Sequence, residues 1–272
     1  MKTIYSSENK IYKLCIQLAA KKYRDRLGLY LIEGENLLAE AVKNAAVIEH
    51  VIFSESFFEH VCGGNAGSLR DSFDLPCDAE LCVMSDKLFM GIAQTKTPQG
   101  MLAVVKKPEL SRDEAVSAMK KEGSNVLILD RLQDPGNIGT IIRTADAAGF
   151  GMIISLKGTV DVFSPKVIRA AMGSVFRMPI FFAETPQEVL ALMKECKKRT
   201  AATCFDTDCF YYDADIAKDT AIIIGNEGNG ICREFSDGAD IRIKIPMHGN
   251  IESLNAAVAA AILMYEAVRK GE

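Results

Sequence analysis

The sequence predicts an α/β protein built as two units, and three observations carry that expectation. Short apolar runs alternate with stretches of helical period along most of the 272 residues, the pattern of strands joined by helices. Val126-Leu127-Ile128-Leu129-Asp130 and Ala221-Ile222-Ile223-Ile224 are near-continuous apolar runs, as expected of strands buried on both faces of a parallel sheet. A polar, charged connector then divides one alternating series from the next, and a chain of this length more often holds two domains than one. The expected boundaries are residues 1–107, a linker at 108–124 and a second unit at 125–272.

Composition narrows the class. Hydrophobic residues make up 49% without any long apolar run, which fits a soluble, well-cored protein rather than a membrane-spanning or disordered one. Polar residues follow Met1-Lys2, so a signal-peptide core is not expected and the cytoplasm is. The eight cysteines form no C-x-x-C pair. Cys77/Cys82 and Cys204/Cys209 have no histidine close in sequence to complete a zinc set, so reduced thiols and no metal are expected. A net charge of −4 means that any nucleic-acid surface must be a local patch.

Residues 1–26 supply such a patch, with seven basic side chains against Glu8 and Asp25. Ile11, Leu14, Cys15, Leu18 and Ala19 follow a helical stripe, which leaves most of the basic side chains off the buried face. The same pattern also describes an ordinary solvated helix face. Residues 29–34 read as strand and turn, 35–44 as helix and 47–53 as strand. Residues 62–68 read as flexible, and 81–84 and 101–105 as strands. The connector carries some helix at 112–121.

In the second unit, the strand at 126–130 feeds a glycine-containing turn at 131–139 and then a helix to Ala148, stopped by Gly149. Strand, glycine loop and helix in that order place ligands at the carboxyl ends of parallel strands. The spacing is not G-x-G-x-x-G, so a dinucleotide fingerprint is absent. Ile138, Ile141, Ile142 and Ala145 form the buried stripe. Arg143 falls on another side with Thr140 and Thr144, one turn above Gly139. Taken alone, Arg143 reads first as an ordinary solvated arginine and Asn137 as an N-cap, with a ligand-facing role the other reading.

The alternation continues with strands at 152–155, 178–182 and 200–204 and helices at 164–172 and 186–198. The buried strand 221–224 ends in Gly225-Asn226-Glu227-Gly228-Asn229-Gly230, which suits close backbone approach to a ligand. Without the Lys-Ser/Thr of a P-loop, and with Glu227 to repel phosphate, this is not a triphosphate site. Residues 241–245 alternate apolar and charged side chains as a half-buried strand, which Pro246 and Gly249 must end in a shaped loop. Ser253 is the expected N-cap, and 256–268 a helix apolar nearly all round, placed in the core or in a subunit interface. Ser253 and Asn255 stand where loop meets buried helix, either as caps or as part of a ligand shelf.

Three strand-end loops therefore converge, and their residues fall into an ordered pattern. Asn137, Gly139 and Arg143 give N-x-G-x-x-x-R; residues 225–230 give G-N-E-G-x-G; residues 245–255 give I-P-M-x-G-x-x-E-S-L-N. Over residues 125–272 the chain resembles the SpoU family of S-adenosylmethionine-dependent RNA ribose 2′-O-methyltransferases, in the knotted SPOUT superfamily. The basic opening helix, Tyr30-Leu31-Ile32-Glu33-Gly34-Glu35 and Thr97-Pro98-Gln99-Gly100 resemble that family's substrate-binding domain, which is similar to ribosomal protein L30e. Ala256-Ala257 departs from the Val-Ser or Val-Ala common in relatives and leaves the polar set intact.

The resemblance implies a deep trefoil knot in a mostly parallel C-terminal α/β domain, which no periodicity argument could find. It implies an L30e-like α/β domain before it and a homodimer through the knotted domains. S-adenosylmethionine would be held by backbone groups at Gly225, Ile245, Met247 and Leu254. Asn137, Arg143, Glu227, Ser253 and Asn255 would form the catalytic group, with Glu227 holding Arg143 through a bidentate pair. Methyl transfer from a sulfonium needs alignment and proton handling rather than a metal. The family proposal makes the arginine a general base. Removing about six pKa units of proton affinity from an ordinary guanidinium costs roughly 8 kcal/mol, whereas stabilising a developing alkoxide with its intact charge avoids that cost. Ribosomal RNA is the expected substrate; transfer RNA, or a non-catalytic role in ribosome assembly, is the alternative.

Overall fold

The computed structural model describes residues 1–63 and 66–272. It divides into two compact units, Met1–Pro108 with Phe163–Phe176, and Glu109–Val162 with Arg177–Glu272. The flexible stretch expected at 62–68 includes Gly64 and Asn65, which lie outside the described residues.

The first unit runs β1 (Lys2–Ile4), α1 (Lys10–Leu18), α2 (Lys21–Leu27), β2 (Leu29–Glu33), α3 (Glu35–Lys43) and β3 (Ile48–Ser54). It continues with α4 (Glu55–Cys62), α5 (Ala66–Ser72), β4 (Glu80–Met84), α6 (Asp86–Ile92) and β5 (Met101–Lys106). Its sheet has the order β1-β4-β3-β5-β2; β1, β4 and β3 are mutually parallel, while β5 runs antiparallel to both β3 and β2. One face packs Ile4, Ile52, Cys82, Leu102 and Val104 against Ile11, Cys15 and Leu18 of α1 and Phe89 of α6.

The single basic helix expected near the N-terminus is two helices. Gly28, in the left-handed region at φ 66°, ends α2. Arg24 is buried there, its Nη1 donating to the carbonyls of Leu18 and Ala19 at 2.7 and 2.8 Å, so it closes the end of α1 instead of joining the basic face. Lys10, Lys13, Lys21, Lys22 and Arg26 remain exposed.

The second series runs α7 (Arg112–Met119), β6 (Val126–Asp130), α8 (Pro135–Ala147), β7 (Met152–Leu156), α9 (Pro165–Ala171) and a 3₁₀ turn at Ser174–Phe176. Then follow β8 (Ile180–Ala183), α10 (Pro186–Glu195), β9 (Arg199–Thr203), β10 (Thr220–Gly225), α11 (Arg233–Gly238), β11 (Ile241–Ile243) and α12 (Ala256–Gly271). The segment bearing α9 packs with the first unit: Phe163 lies 4.9 Å from the Tyr30 ring, and α9 rests on β2.

The second unit's sheet has the order β11-β9-β10-β6-β7-β8 and is parallel throughout. Helices α7, α10 and α11 pack Met119, Val189, Leu192 and Phe235 against Val126, Ile128, Ile154 and Ile223 on one face. Helix α12 lies against α8 and β10, which explains why its Ala260, Leu263, Met264 and Ala267 are fully buried. The continuous apolar runs of β6 and β10 are buried along their length, as expected of central parallel strands. The chain reverses direction across the sheet between β6 and β10, the kind of switch point where ligands bind.

Candidate active site

Three loops leave the carboxyl ends of β6, β10 and β11, and their sequences decide where each polar side chain goes. After β6, Pro135 takes the first helical position of α8 and Asp134 is its cap, accepting from the Asn137 N–H at 2.8 Å. Proline lacks the N–H that would be unsatisfied there, so the helix begins at Pro135, inside the stretch 131–139 expected as a turn. Asn137 is therefore not the cap. It sits within the first turn, and its side chain bonds outside its own helix.

That side chain is the middle of a polar chain joining all three loops. Asn137 Nδ2 donates to Glu227 Oε1 at 3.0 Å, and Asn255 Nδ2 donates to Asn137 Oδ1 at 2.8 Å. Asn255 Oδ1 in turn accepts from the N–H groups of Ala257 and Val258 at 2.9 and 3.3 Å. Asn255, not Ser253, is thus the N-cap of α12. Each amide orientation is fixed by its neighbour: the carboxylate only accepts and the helix N–H groups only donate, so both asparagines can point one way only.

Glu227 has further partners. Its carboxylate accepts from the N–H groups of Gln133 and Asp134 at 3.1 and 3.2 Å. Burial opposes its charge, but the hydrogen bonds from Asn137 and these backbone groups outweigh that and hold the carboxyl below its ordinary range. The expected Glu227–Arg143 pair does not form. Six residues along an α-helix advance about 9 Å and turn about 240°, so a glutamate bound to Asn137 cannot also meet Arg143. Arg143 is exposed and makes no hydrogen bond or ion pair among the described residues.

A cavity of about 530 Å³ opens at the ends of β9, β10 and β11. Gly225, Ile245, Met247 and Leu254 all line it, as do Glu227 and Ser253, whereas Asn137, Arg143 and Asn255 lie outside its lining. Buried Ile224, Ile243 and Leu263 contribute apolar wall, and the volume suits a small-molecule cofactor. Glu227, Glu252 and Asp206 are its ionisable acids, against Lys244, a balance that favours a cationic sulfonium and disfavours phosphates. Gly225 has to be glycine: a Cβ there would lie 2.3 Å from the backbone of Gly230 and Ile231.

Supporting residues escaped sequence reasoning. Asn226 folds its loop, accepting at Oδ1 from Gly228 and Asn229 N–H at 3.0 Å each while Nδ2 donates to the Arg131 carbonyl at 2.8 Å. Arg131 holds a left-handed backbone at φ 58°, and its guanidinium donates to fully buried Asp130 at 2.6 and 3.1 Å. Asp130 also accepts from Cys232 N–H at 2.6 Å. A charged residue ending a continuous apolar strand is the one signal that could have marked Asp130, since a buried carboxylate must be paired.

The chain is also similar to known proteins. The model of the SpoU rRNA Methylase family matches residues 124–265, and that of the MRM3-like substrate binding domain matches residues 9–103. The chain is 35% identical to the 23S rRNA (guanosine(2553)-2′-O)-methyltransferase RlmP of Bacillus subtilis (strain 168), over 97% of this chain and 98% of that one. Its structure resembles an AdoMet-bound rRNA methyltransferase from Sinorhizobium meliloti with a TM-score of 0.84 and 30% identity, covering 98% and 97% of the two chains. It also resembles the SpoU methyltransferase AviRb of Streptomyces viridochromogenes in complex with AdoMet, with a TM-score of 0.84 and 28% identity over 96% and 98%.

Proposed function

Because the chain belongs to the SpoU rRNA methylase family, we propose that it methylates a ribose 2′-hydroxyl of ribosomal RNA with the three-loop site as its active centre. It is an S-adenosylmethionine-dependent RNA methyltransferase, and its strand order is compatible with the trefoil knot. The observation that carries the reading is the polar chain Glu227–Asn137–Asn255 beside an apolar cavity. One group of loops thus offers both a cofactor pocket and a rigid polar edge.

Gly225, Ile245, Met247 and Leu254 hold the cofactor, which when bound supplies an activated methyl group on sulfur. Asn137, Glu227 and Asn255 fix the loops in register with one another. Ser253, exposed in the cavity lining, offers a hydroxyl to position the ribose. Exposed Arg143 keeps its positive charge and stabilises the alkoxide that develops on the 2′-oxygen. The exposed face of α1 and α2 binds RNA phosphates. The protein acts in the cytoplasm as a homodimer formed through the second unit.

Ribose-methylation mapping of total RNA from cells with and without the protein tests the substrate. A ribosomal position that loses its methyl group supports the reading. Loss confined to transfer RNA reassigns the substrate, and unchanged methylation in both pools argues against catalysis.

A further inference from the structure

The first unit contains a cluster of metal-ligand type that the methyl-transfer reading leaves unused. Strands β3 and β4 pair in parallel, with His50 opposite Glu80 and Ile52 opposite Cys82. Residues two apart share a face of a strand, so His50, Glu80 and Cys82 lie on one side of the sheet. Their ligand atoms all fall within 4.8 Å of one another. A register shift between Ile48 and His50 marks an irregularity at the start of β3, and such bulges re-aim side chains.

The geometry between His50 and Glu80 is the telling part. His50 Nδ1 lies 3.1 Å from Glu80 Oε2, an ion-pair contact when the imidazole is protonated. With the imidazole neutral and Nδ1 unprotonated, the same two atoms present lone pairs side by side, the arrangement two ligands of one cation require. Two ligands of one tetrahedral zinc, at bonds of about 2.0–2.1 Å, sit roughly 3.4 Å apart. Lys2 holds Glu80 Oε1, so Oε2 is the oxygen turned toward His50, oriented as outer partners orient metal-bound carboxylates. Cys82 is fully buried and supplies the soft donor that favours zinc over magnesium or calcium.

We propose that His50 Nδ1, Glu80 Oε2 and Cys82 Sγ form a binding site for a zinc-like divalent cation, with the fourth position open to a solvent molecule. The Cys82 thiol releases its proton to solvent as the metal–sulfur bond forms. Such a site ties β3, β4 and, through Lys2, β1 together. It is separate from methyl transfer and does not depend on it.

The test is titration of chelator-treated, full-length protein with Co²⁺ and then Zn²⁺. One Co²⁺ per chain is expected, giving thiolate-to-cobalt charge-transfer absorption and the intense visible bands of tetrahedral cobalt, both abolished by Zn²⁺. Cys82→Ser should lose the charge-transfer band, and His50→Gln should weaken Co²⁺ binding at least about tenfold. Absence of stoichiometric binding overturns the proposal, as does a charge-transfer band that survives in Cys82→Ser. Should buried Cys82→Ser fail to fold, partly exposed His50→Gln decides: an unchanged spectrum and affinity would sink the site.

Discussion

Glu227 is the residue on which the three loops turn, because it accepts from Gln133 N–H, Asp134 N–H and Asn137 Nδ2. Glu227→Gln would set an amide N–H₂ against donors, so the chain through Asn137 to Asn255 should lose its fixed orientation. Methyl transfer by this variant is expected to fall roughly 10²-fold, measured with tritiated cofactor and undermodified RNA; wild-type rates would remove Glu227 from the site. The sign of its pH effect follows from the carboxyl being held below its ordinary range. The stabilisation is present above the unfolded value of about 4.3, and is lost as pH falls through the folded value. Urea midpoints of wild type and Glu227→Gln should therefore converge on acidification below about pH 4; a constant gap would count against the linkage. Arg143 makes a separate prediction, since it is exposed and unengaged among the described residues and lies outside the cavity lining. Arg143→Ala should lose at least about 10²–10³ in methyl transfer while calorimetry shows near-normal cofactor binding. Arg143→Lys retains the charge but not the planar fork, so partial activity favours the electrostatic role and none favours geometry or base chemistry.

At the scale of elements, β10 and the loop after it set the cavity. Gly225→Ala would force its Cβ into the backbone of Gly230 and Ile231, opening the loop that Asn226 folds. Cofactor affinity is expected to fall about 100-fold, near 2.7 kcal/mol, with far-ultraviolet circular dichroism unchanged. Tight binding by this variant would show that the loop can relax at little cost. Strands and helices of the second unit were largely legible because apolar periodicity is a local signal: β6, β7, β10 and α10 fall where the runs place them. Helix starts were less legible. Asp134 and Asn255, not Asn137 and Ser253, are the caps, and choosing among neighbouring Asp, Ser and Asn requires knowing which side chains are drawn elsewhere. β1 was missed because three residues carry no period. The His50–Glu80 pairing was invisible for a different reason: parallel strands bring together residues that are distant in sequence.

The whole molecule tests how units and copies cooperate. A fragment ending at residue 107 would lack α9, whose Val167, Ile168 and Ala171 are buried and which rests on β2, so RNA binding is best measured on the full chain. Charge reversal at exposed Lys10, Lys22 and Arg26 should weaken binding and reduce the salt slope by about 2–3. An unchanged slope would move the RNA surface elsewhere, and Arg24 is left alone because it is buried against α1. The dimer makes the last prediction. Nearly continuous hydrophobicity of α12 suggested a subunit interface, yet much of that surface is spent within one chain: Met264, Leu263 and Ala260 are fully buried. A charge at Met264 would therefore report on the core, where an unpaired buried carboxylate is strongly destabilising. The large apolar side chains of α12 that stay exposed are Val258 and Tyr265, at 48% and 52%. A two-fold contact must be self-complementary, and these side chains would meet their copies or close neighbours across such an axis. Wild-type protein should scatter light as a two-chain particle at micromolar concentration, and Val258→Glu/Tyr265→Glu as a single chain with a preserved circular dichroism spectrum. One-chain mass for the wild type would rule out the dimer, whereas two-chain mass for the double variant would place its interface away from this face of α12.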